Sequence, residues 1–230
     1  MENKITLRFS TLLVVAVLIM QTKVYAQDMH INSGKVYDVD GNTYDTLRLG
    51  TQVWMLENLK TTRYNDSTLI LLVTDATLWI KLATPAYCWY KNDTTYKDNF
   101  GALYNWAAVN TGKLCPAGWH VPTDYEWSRL SAFLGGEAIA GDKLKVSDAS
   151  VWIDPNNGAT NEYCFSALPG GERSANGSFS GDGYYGTWWS STENGTYDAW
   201  YRLIYSTSSN IFRYDHAKRG GFSVRCIKNL

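Results

Sequence analysis

Residues 121–136 read VPTDYEWSRLSAFLGG, and they carry the start, the buried face and the stop of a helix. Thr123 stands at the N-cap with Glu126 three residues on, the T-x-x-E box in which each side chain satisfies the other's free backbone N–H. Gly135-Gly136 can end the last turn. Trp127, Leu130, Phe133 and Leu134 recur at helical spacing, so this face belongs to a core rather than to a site. Upstream, KVYDVDGNTYDTLRLGTQVWMLENL (35–59) sets Asp40-Gly41 between two β-prone runs, a hairpin signal, and Gly50 marks a second turn before Val53-Trp54-Met55. Asp38 could open a calcium loop, but the twelfth position is then Leu49, which cannot supply the bidentate carboxylate. The hairpin is therefore the reading. A short helix is expected over Thr74–Leu82 with Asp75 near its start, and GEAIAGDKLK (136–145) as a second helix after the first stretch. From Phe165 the text changes to short β-prone runs broken by Gly, Asn and Ser: FSAL, TWWSS, AWYRLIY, NIFRYD and GFSVRCI. In the last, Phe222, Val224 and Cys226 share one face. The expected fold class is α+β: a hairpin, two or more helices, then a twisted antiparallel sheet with long irregular loops.

The first residues, MENKITLRFSTLLVVAVLIMQTKVYAQ, place Lys4 and Arg8 ahead of a short apolar run, Leu12 to Met20, and then Val24-Tyr25-Ala26. Charged, apolar and small-residue regions in that order describe a signal peptide over 1–26, cut after Ala26. The run falls well short of the roughly 20 residues a membrane span needs. A polar leader, 27–34, and one domain, 35–230, follow. The protein is thus expected to be exported, to the periplasm, the outer surface or the medium, with no span in its mature part. Without residues 1–26, 204 residues remain (230 minus 26), enough for one domain with a substantial core. The formal charge moves from −1 to −3 as Glu2, Lys4, Arg8 and Lys23 leave. A mildly acidic chain with no basic stripe argues against nucleic acid as partner. The four cysteines, Cys88, Cys115, Cys164 and Cys226, are an even set in an exported chain, so two disulfides are expected, with three pairings open. Zinc is disfavoured because no CxxC spacing occurs and His30, His120 and His216 are scattered.

Six phrases in order carry a resemblance: TQVWMLENLK (51–60), YCWYKND (87–93), FGALYNWAAVNTGKLCPAGWHVPTDYEW (100–127), FSALPGG (165–171), GTWWSSTE (186–193) and GFSVRCIK (221–228). Together they resemble the Fibrobacter succinogenes major paralogous domain, found in exported proteins of Bacteroidetes and Fibrobacter relatives, from about residue 35 to 228. Cys164 departs from it, since the family commonly has Gly before FSALPGG. More widely, HVPTDYEW and the terminal GFSVRC resemble formylglycine-generating-enzyme-like proteins, which share the C-type-lectin-like fold. That resemblance implies termini that meet, a long loop region that displays a binding surface, and a Cys115–Cys226 bridge. Cys88–Cys164 is the pairing left over.

Residues 183–202, GYYGTWWSSTENGTYDAWYR, mix aromatics with Gly, Ser, Thr and Asn, the composition of recognition surfaces. The family phrase favours Trp188 and Trp189 as core, whereas the tyrosines alternate or flank turns. The expected ligand residues are Tyr184, Tyr185, Tyr197, Tyr201, Arg202, Tyr205, Arg213 and Tyr214, with Arg219 as a further donor, and the expected ligand is a glycan or a surface protein. An adhesion protein is the neighbouring reading. An enzyme is not expected: G-x-S-x-G, H-E-x-x-H and a P-loop are all missing. Asp154, Glu162, Asp182, Glu193 and Asp198 could in principle pair as glycosidase acid and base, but loop carboxylates are ordinarily solvated. The cysteines lack the oxidase motif of formylglycine-generating enzymes. His120 reads as a satisfied hydrogen-bonding residue before the helix. No cofactor or metal is expected; calcium, common in lectin-like folds, has only Asp154-Pro155-Asn156-Asn157 and Glu162 as a trace.

Overall fold

A computed structural model describes residues 34–229, apart from Ala149 and Asn157. The expected signal peptide (1–26), His30 and all but Gly34 of the leader lie outside the described residues, as does Asn157 of the calcium trace. One sheet holds Lys35–Tyr37 (β1), Thr43–Leu49 (β2), Gln52–Met55 (β3), Trp119–His120 (β7) and Ile227–Lys228 (β14) in the order β1-β2-β3-β14-β7. The other holds Leu71–Leu72 (β4), Ala86–Cys88 (β5), Leu103–Asn105 (β6), Gly170–Arg173 (β8), Phe179–Asp182 (β9), Tyr185–Asn194 (β10), Asp198–Tyr205 (β11), Ile211–Ala217 (β12) and Gly221–Phe222 (β13). Its order is β12-β11-β10-β8-β13-β6-β5-β4, with β9 on β8, and only β8–β10 and β4–β5 run parallel. The helices are Ala76–Ile80 (α1), Lys97–Phe100 (α2), Trp106–Val109 (α3), Asp124–Phe133 (α4) and Glu137–Leu144 (α5). The fold is mixed α+β and mostly sheet, as the patterning implied.

Local chemistry accounts for the elements read first. The Asp38 carboxylate accepts from the backbone N–H of Asp40 and Asn42 and from the Tyr44 hydroxyl, so this acid closes the β1–β2 turn. Asp75 caps α1 through the Leu78 N–H. The α4 capping box is complete. Trp127, Leu130 and Leu134 are buried, but Phe133 is 40% exposed, resting on Tyr163 at 5.5 Å. FSAL forms no strand; Arg225 and Asn161 hold it as a loop, and Ala167 makes only an isolated bridge to Lys145. The last strand returns to the start: Ile227 pairs with Trp54 of β3 and with His120 of β7.

The β10–β11–β12 ribbon divides the core. Alternation along β10 sends Trp189 to one side, among Tyr104, Trp106 and Phe222, and Trp188 to the other, among Trp54, Trp127 and Phe165. Both indoles are buried and hydrogen-bonded, Trp188 Nε1 to Asn58 Oδ1 and Trp189 Nε1 to the Tyr104 carbonyl, each at 2.8 Å. A bulge between Trp189 and Glu193 explains the SST that follows them. Ser191 N–H donates to the Pro122 carbonyl, and Thr192 Oγ1 accepts from Asp124 N–H at the start of α4.

Cys115 and Cys226 are bridged across 111 residues. The expected Cys88–Cys164 bridge is not formed. Cys88 lies within β5, sealed beneath Trp79, Tyr90 and Leu103, and burial pushes its thiol up to about 12. Cys164 is exposed in a separate turn, held at φ 55° with its N–H on the Asn161 carbonyl.

His120 ties the residue after the last strand to the first turn of α4. Its Nδ1 lies 2.7 Å from Asn229 Oδ1 and its Nε2 3.0 Å from both carboxylate oxygens of Glu126. Both partners are acceptors, so the imidazolium, donating from both nitrogens, is the form that fits. The Glu126 hydrogen bond raises the His120 pKa against the opposing effect of burial. Burial pushes the Glu126 carboxyl up, but hydrogen bonds from His120 and Thr123 outweigh it and the net shift is downward. The histidine's contribution is complete below its usual 6.5 and is lost as pH rises through its higher folded value. The glutamate's is complete above its usual 4.5 and is lost as pH falls through its lower folded value. The stability gap between wild type and H120Q should therefore be widest between pH 4.5 and 6.5 and narrow on either side. Urea midpoints across pH would show it; a gap that does not vary with pH would refute the pairing.

Candidate functional site

Register builds one tyrosine-rich face on the Trp189 side of the ribbon. Tyr185, Thr187 and Trp189 of β10 stand opposite Tyr205, Leu203 and Tyr201 of β11. Leu203, Tyr201 and Ala199 in turn oppose Phe212, Tyr214 and His216 of β12. Trp189 and Leu203 vanish into the core, while Tyr185, Tyr205 and Phe212 are half-buried and Tyr214 is 45% exposed. The rings run on from one another: Tyr185–Tyr205 5.7 Å, Tyr205–Phe212 5.6 Å, Phe212–Tyr214 5.8 Å, Tyr214–Tyr201 6.3 Å. His216 closes the series edge-on to Tyr201 at 6.2 Å.

A carboxylate borders this aromatic face. Gly171 of β8 pairs with Gly186 of β10, which brings the next residue, Glu172, to the edge of the face, within electrostatic reach of Tyr185, Tyr201 and Tyr205. Its carboxyl pKa is raised because burial disfavours the charged form, with His216 pulling the other way. Among the described residues none donates a hydrogen bond to it. Ser180 of β9 pairs with Glu172 and binds the Tyr185 hydroxyl through Oγ at 2.9 Å. Asp182, two residues on, faces the same way and is held by Tyr96 Oη at 3.2 Å and Lys91 Nζ at 3.4 Å. Close packing depends on missing side chains: a Cβ on Gly181 would lie 2.2 Å from the Tyr185 ring. Half-buried rings and one carboxylate without a donor can stack on an apolar face and accept hydrogen bonds from hydroxyls.

The eight expected ligand residues do not form one cluster. Tyr185, Tyr201, Tyr205 and Tyr214 come together on this face, though Tyr201 is only 8% exposed and serves mainly as its floor. Tyr184 is exposed in the turn before β10, and Tyr197 is 80% exposed in the turn after it. A ten-residue strand separates those turns by roughly 30 Å. Arg202 is fully buried on the opposite face, with Nη1 2.6 Å from Asp124 Oδ1 and Nη2 on Ser128 Oγ. Arg213 lies on that same side, 3.3 Å over the Trp200 ring and 3.0 Å from Asp124. Arg202 is a correction, since burial takes it off the surface; Arg213 stays exposed, and both fasten the start of α4 to the ribbon. Glu172, Phe212 and His216 belong to the face although they are not among the eight.

Among the described residues no group of three or more His, Cys, Asp or Glu side chains is arranged to hold a metal. No described helix is long and apolar enough to cross a membrane. The model of the Fibrobacter succinogenes major domain matches residues 47–228, most of the chain. The chain belongs to that family. The matched span contains the ribbon, Glu172 and both bridged cysteines, and the disulfide is compatible with export. Comparisons with curated proteins and with solved structures returned no match.

Proposed function

We propose that this family member is an exported ligand-binding module that captures glycans on the tyrosine face around Glu172. The observation that carries the reading is Glu172 itself, a half-buried carboxylate on β8 opposite Ser180, which binds the Tyr185 hydroxyl, with no donor to it among the described residues. A carboxylate left without a donor costs stability, and residues kept at such a cost belong to sites more often than to scaffolds. Sugar hydroxyls would supply the donors, and the tyrosine rings would cover the C–H face. We read the fold as C-type-lectin-like, supported by the return of β14 beside β3 and by the Cys115–Cys226 bridge behind the α4 start. The binding reading needs no cofactor and no catalysis. Adhesion through a surface protein on the same face is the alternative.

The test is a glycan panel, with and without calcium, run on wild type, E172Q and Y205A/Y214A. Capture should appear in wild type and disappear in both variants. The charge has a sign to check. Glu172 has a raised folded pKa, so its ionised form works against folding once pH passes that value. E172Q should therefore abolish capture at neutral pH while raising the unfolding midpoint. In wild type, capture should fade as pH drops through the raised value. Retained capture by E172Q would overturn the assignment; a folded wild type silent on every glycan would turn the reading toward a protein partner.

A further inference from the structure

At the far end of the ribbon from Tyr185 a cavity of about 480 Å³ opens between the β10–β11 turn, the β12–β13 turn, the end of α1 and α3. Lys81, Lys218 and Arg219 line it together with Trp106, Asn110 and Tyr197, and no acidic side chain does. Lys218 is already occupied: Nζ binds Glu193 at 2.9 Å and the carbonyls of Gly195 and Thr196 at 3.0 Å, and sits 4.7 Å over the Trp106 ring. Among the described residues Lys81 and Arg219 have no acidic partner. Arg219 spends one donor, Nη1, on the Ile80 carbonyl at 3.1 Å, which anchors its guanidinium beside Lys81.

The walls are fixed before any ligand arrives. Lys218 N–H donates to the Tyr197 carbonyl and Trp106 N–H to the Lys218 carbonyl, each at 2.9 Å. Gly220 N–H closes the turn on the Ala217 carbonyl at 2.7 Å, and a Cβ there would come within 2.7 Å of His216 Nδ1. Arg219, already anchored on the Ile80 carbonyl, gives up less freedom on binding an anion than an untethered guanidinium would. Tyr197 adds a ring 80% exposed at the rim, far more than a packing role requires.

We infer that this cavity is a second binding site, for an acidic saccharide. The anion sits between Lys81 and Arg219, a pyranose ring packs on Tyr197, and the Asn110 amide takes a hydroxyl. Its volume falls in the range of small-ligand sites, and charge-assisted hydrogen bonds from a guanidinium supply the selectivity for charge. This site is distinct from the Glu172 face, whose own charge is negative.

Calorimetry on the full chain would use three probes: an oligogalacturonate, its methyl ester, and a sulfated galactan of similar length. The oligogalacturonate should bind saturably and the ester about tenfold more weakly or worse, the loss expected when a charged hydrogen bond becomes neutral. R219A should lose about the same factor. K81A/Y197A changes only exposed side chains, so it should weaken binding with the thermal midpoint unmoved. Binding of the sulfated galactan, if it depends equally on Lys81 and Arg219, supports the site with sulfate as the anion. Equal affinity for acid and ester, wild-type affinity in both variants, or no saturable binding to either anionic probe overturns it.

Discussion

Replacing Cys115 and Cys226 together by alanine should lower the free energy of unfolding by about 2–4 kcal/mol. The bridge spans 111 residues, and constraint of the unfolded chain grows with the length of the closed loop. Alanine is the right replacement because both sulfurs lie in the sealed core, at 2% and 0% exposure, where a serine hydroxyl would add an unmet polar group. The fold itself should survive. The end of the chain is also held by backbone: Met55 N–H on the Cys226 carbonyl at 3.0 Å and Leu59 N–H on the Val224 carbonyl at 2.7 Å. Urea unfolding should give a lower midpoint with a steeper slope, since a chain without the bridge exposes more surface when unfolded. C164A is the control: an exposed thiol outside any bridge, expected within about 0.5 kcal/mol of wild type. If the double variant costs no more than the control, the bridge is not a determinant of stability.

What the sequence made legible was what is local. The α4 capping box, the Asp40-Gly41 hairpin and the short helix after Asp75 each depend on residues within four positions of one another, and all three form. The tyrosine face was half legible. Composition pointed at residues 183–202, yet alternation alone separates Arg202 from Tyr201, because neighbours on a strand cannot share a face. Along AWYRLIY that rule sets Tyr201 and Tyr205 against Arg202, and along NIFRYD it sets Phe212 and Tyr214 against Arg213, but only the β11–β12 register joins the two aromatic faces. Glu172 was out of reach. It reaches the face through a parallel β8–β10 contact between two glycines, and GGER has neither the length nor the alternation that marks a strand. The cysteine pairing was equally non-local: four cysteines leave three possibilities, and nothing in the spacing says that Cys88 is sealed under Trp79.

Arg225→Met should cost about 2–4 kcal/mol, although it removes a buried charge and inserts a side chain of similar reach. Burial of a guanidinium is itself unfavourable, and here it lowers the Arg225 pKa. What the arginine returns is satisfaction of others. Its Nη1 donates to the Phe165 carbonyl, Nη2 to the Ser166 carbonyl at 3.4 Å, and Nε and Nη2 to Asn58 Oδ1 at 3.3 and 3.0 Å, with the Phe165 ring 4.1 Å beneath. Cys164 and Ser166 both hold positive φ, 55° and 54°, so the loop leading to β8 adopts a backbone it would not keep alone. Methionine fills the space but leaves those carbonyls without donors, at about 1–3 kcal/mol for each that water cannot reach. Lysine restores the charge but not the fork, so R225K should recover only part of the loss. The loop's other end enters β8, two residues before Glu172, which links stability to the site. Glycan capture by R225M, measured well below its unfolding midpoint, should weaken as the β8 register loosens. A variant equal to wild type in urea midpoint would show that the buried guanidinium is dispensable, and that hydrophobic packing around Phe165 alone holds the loop.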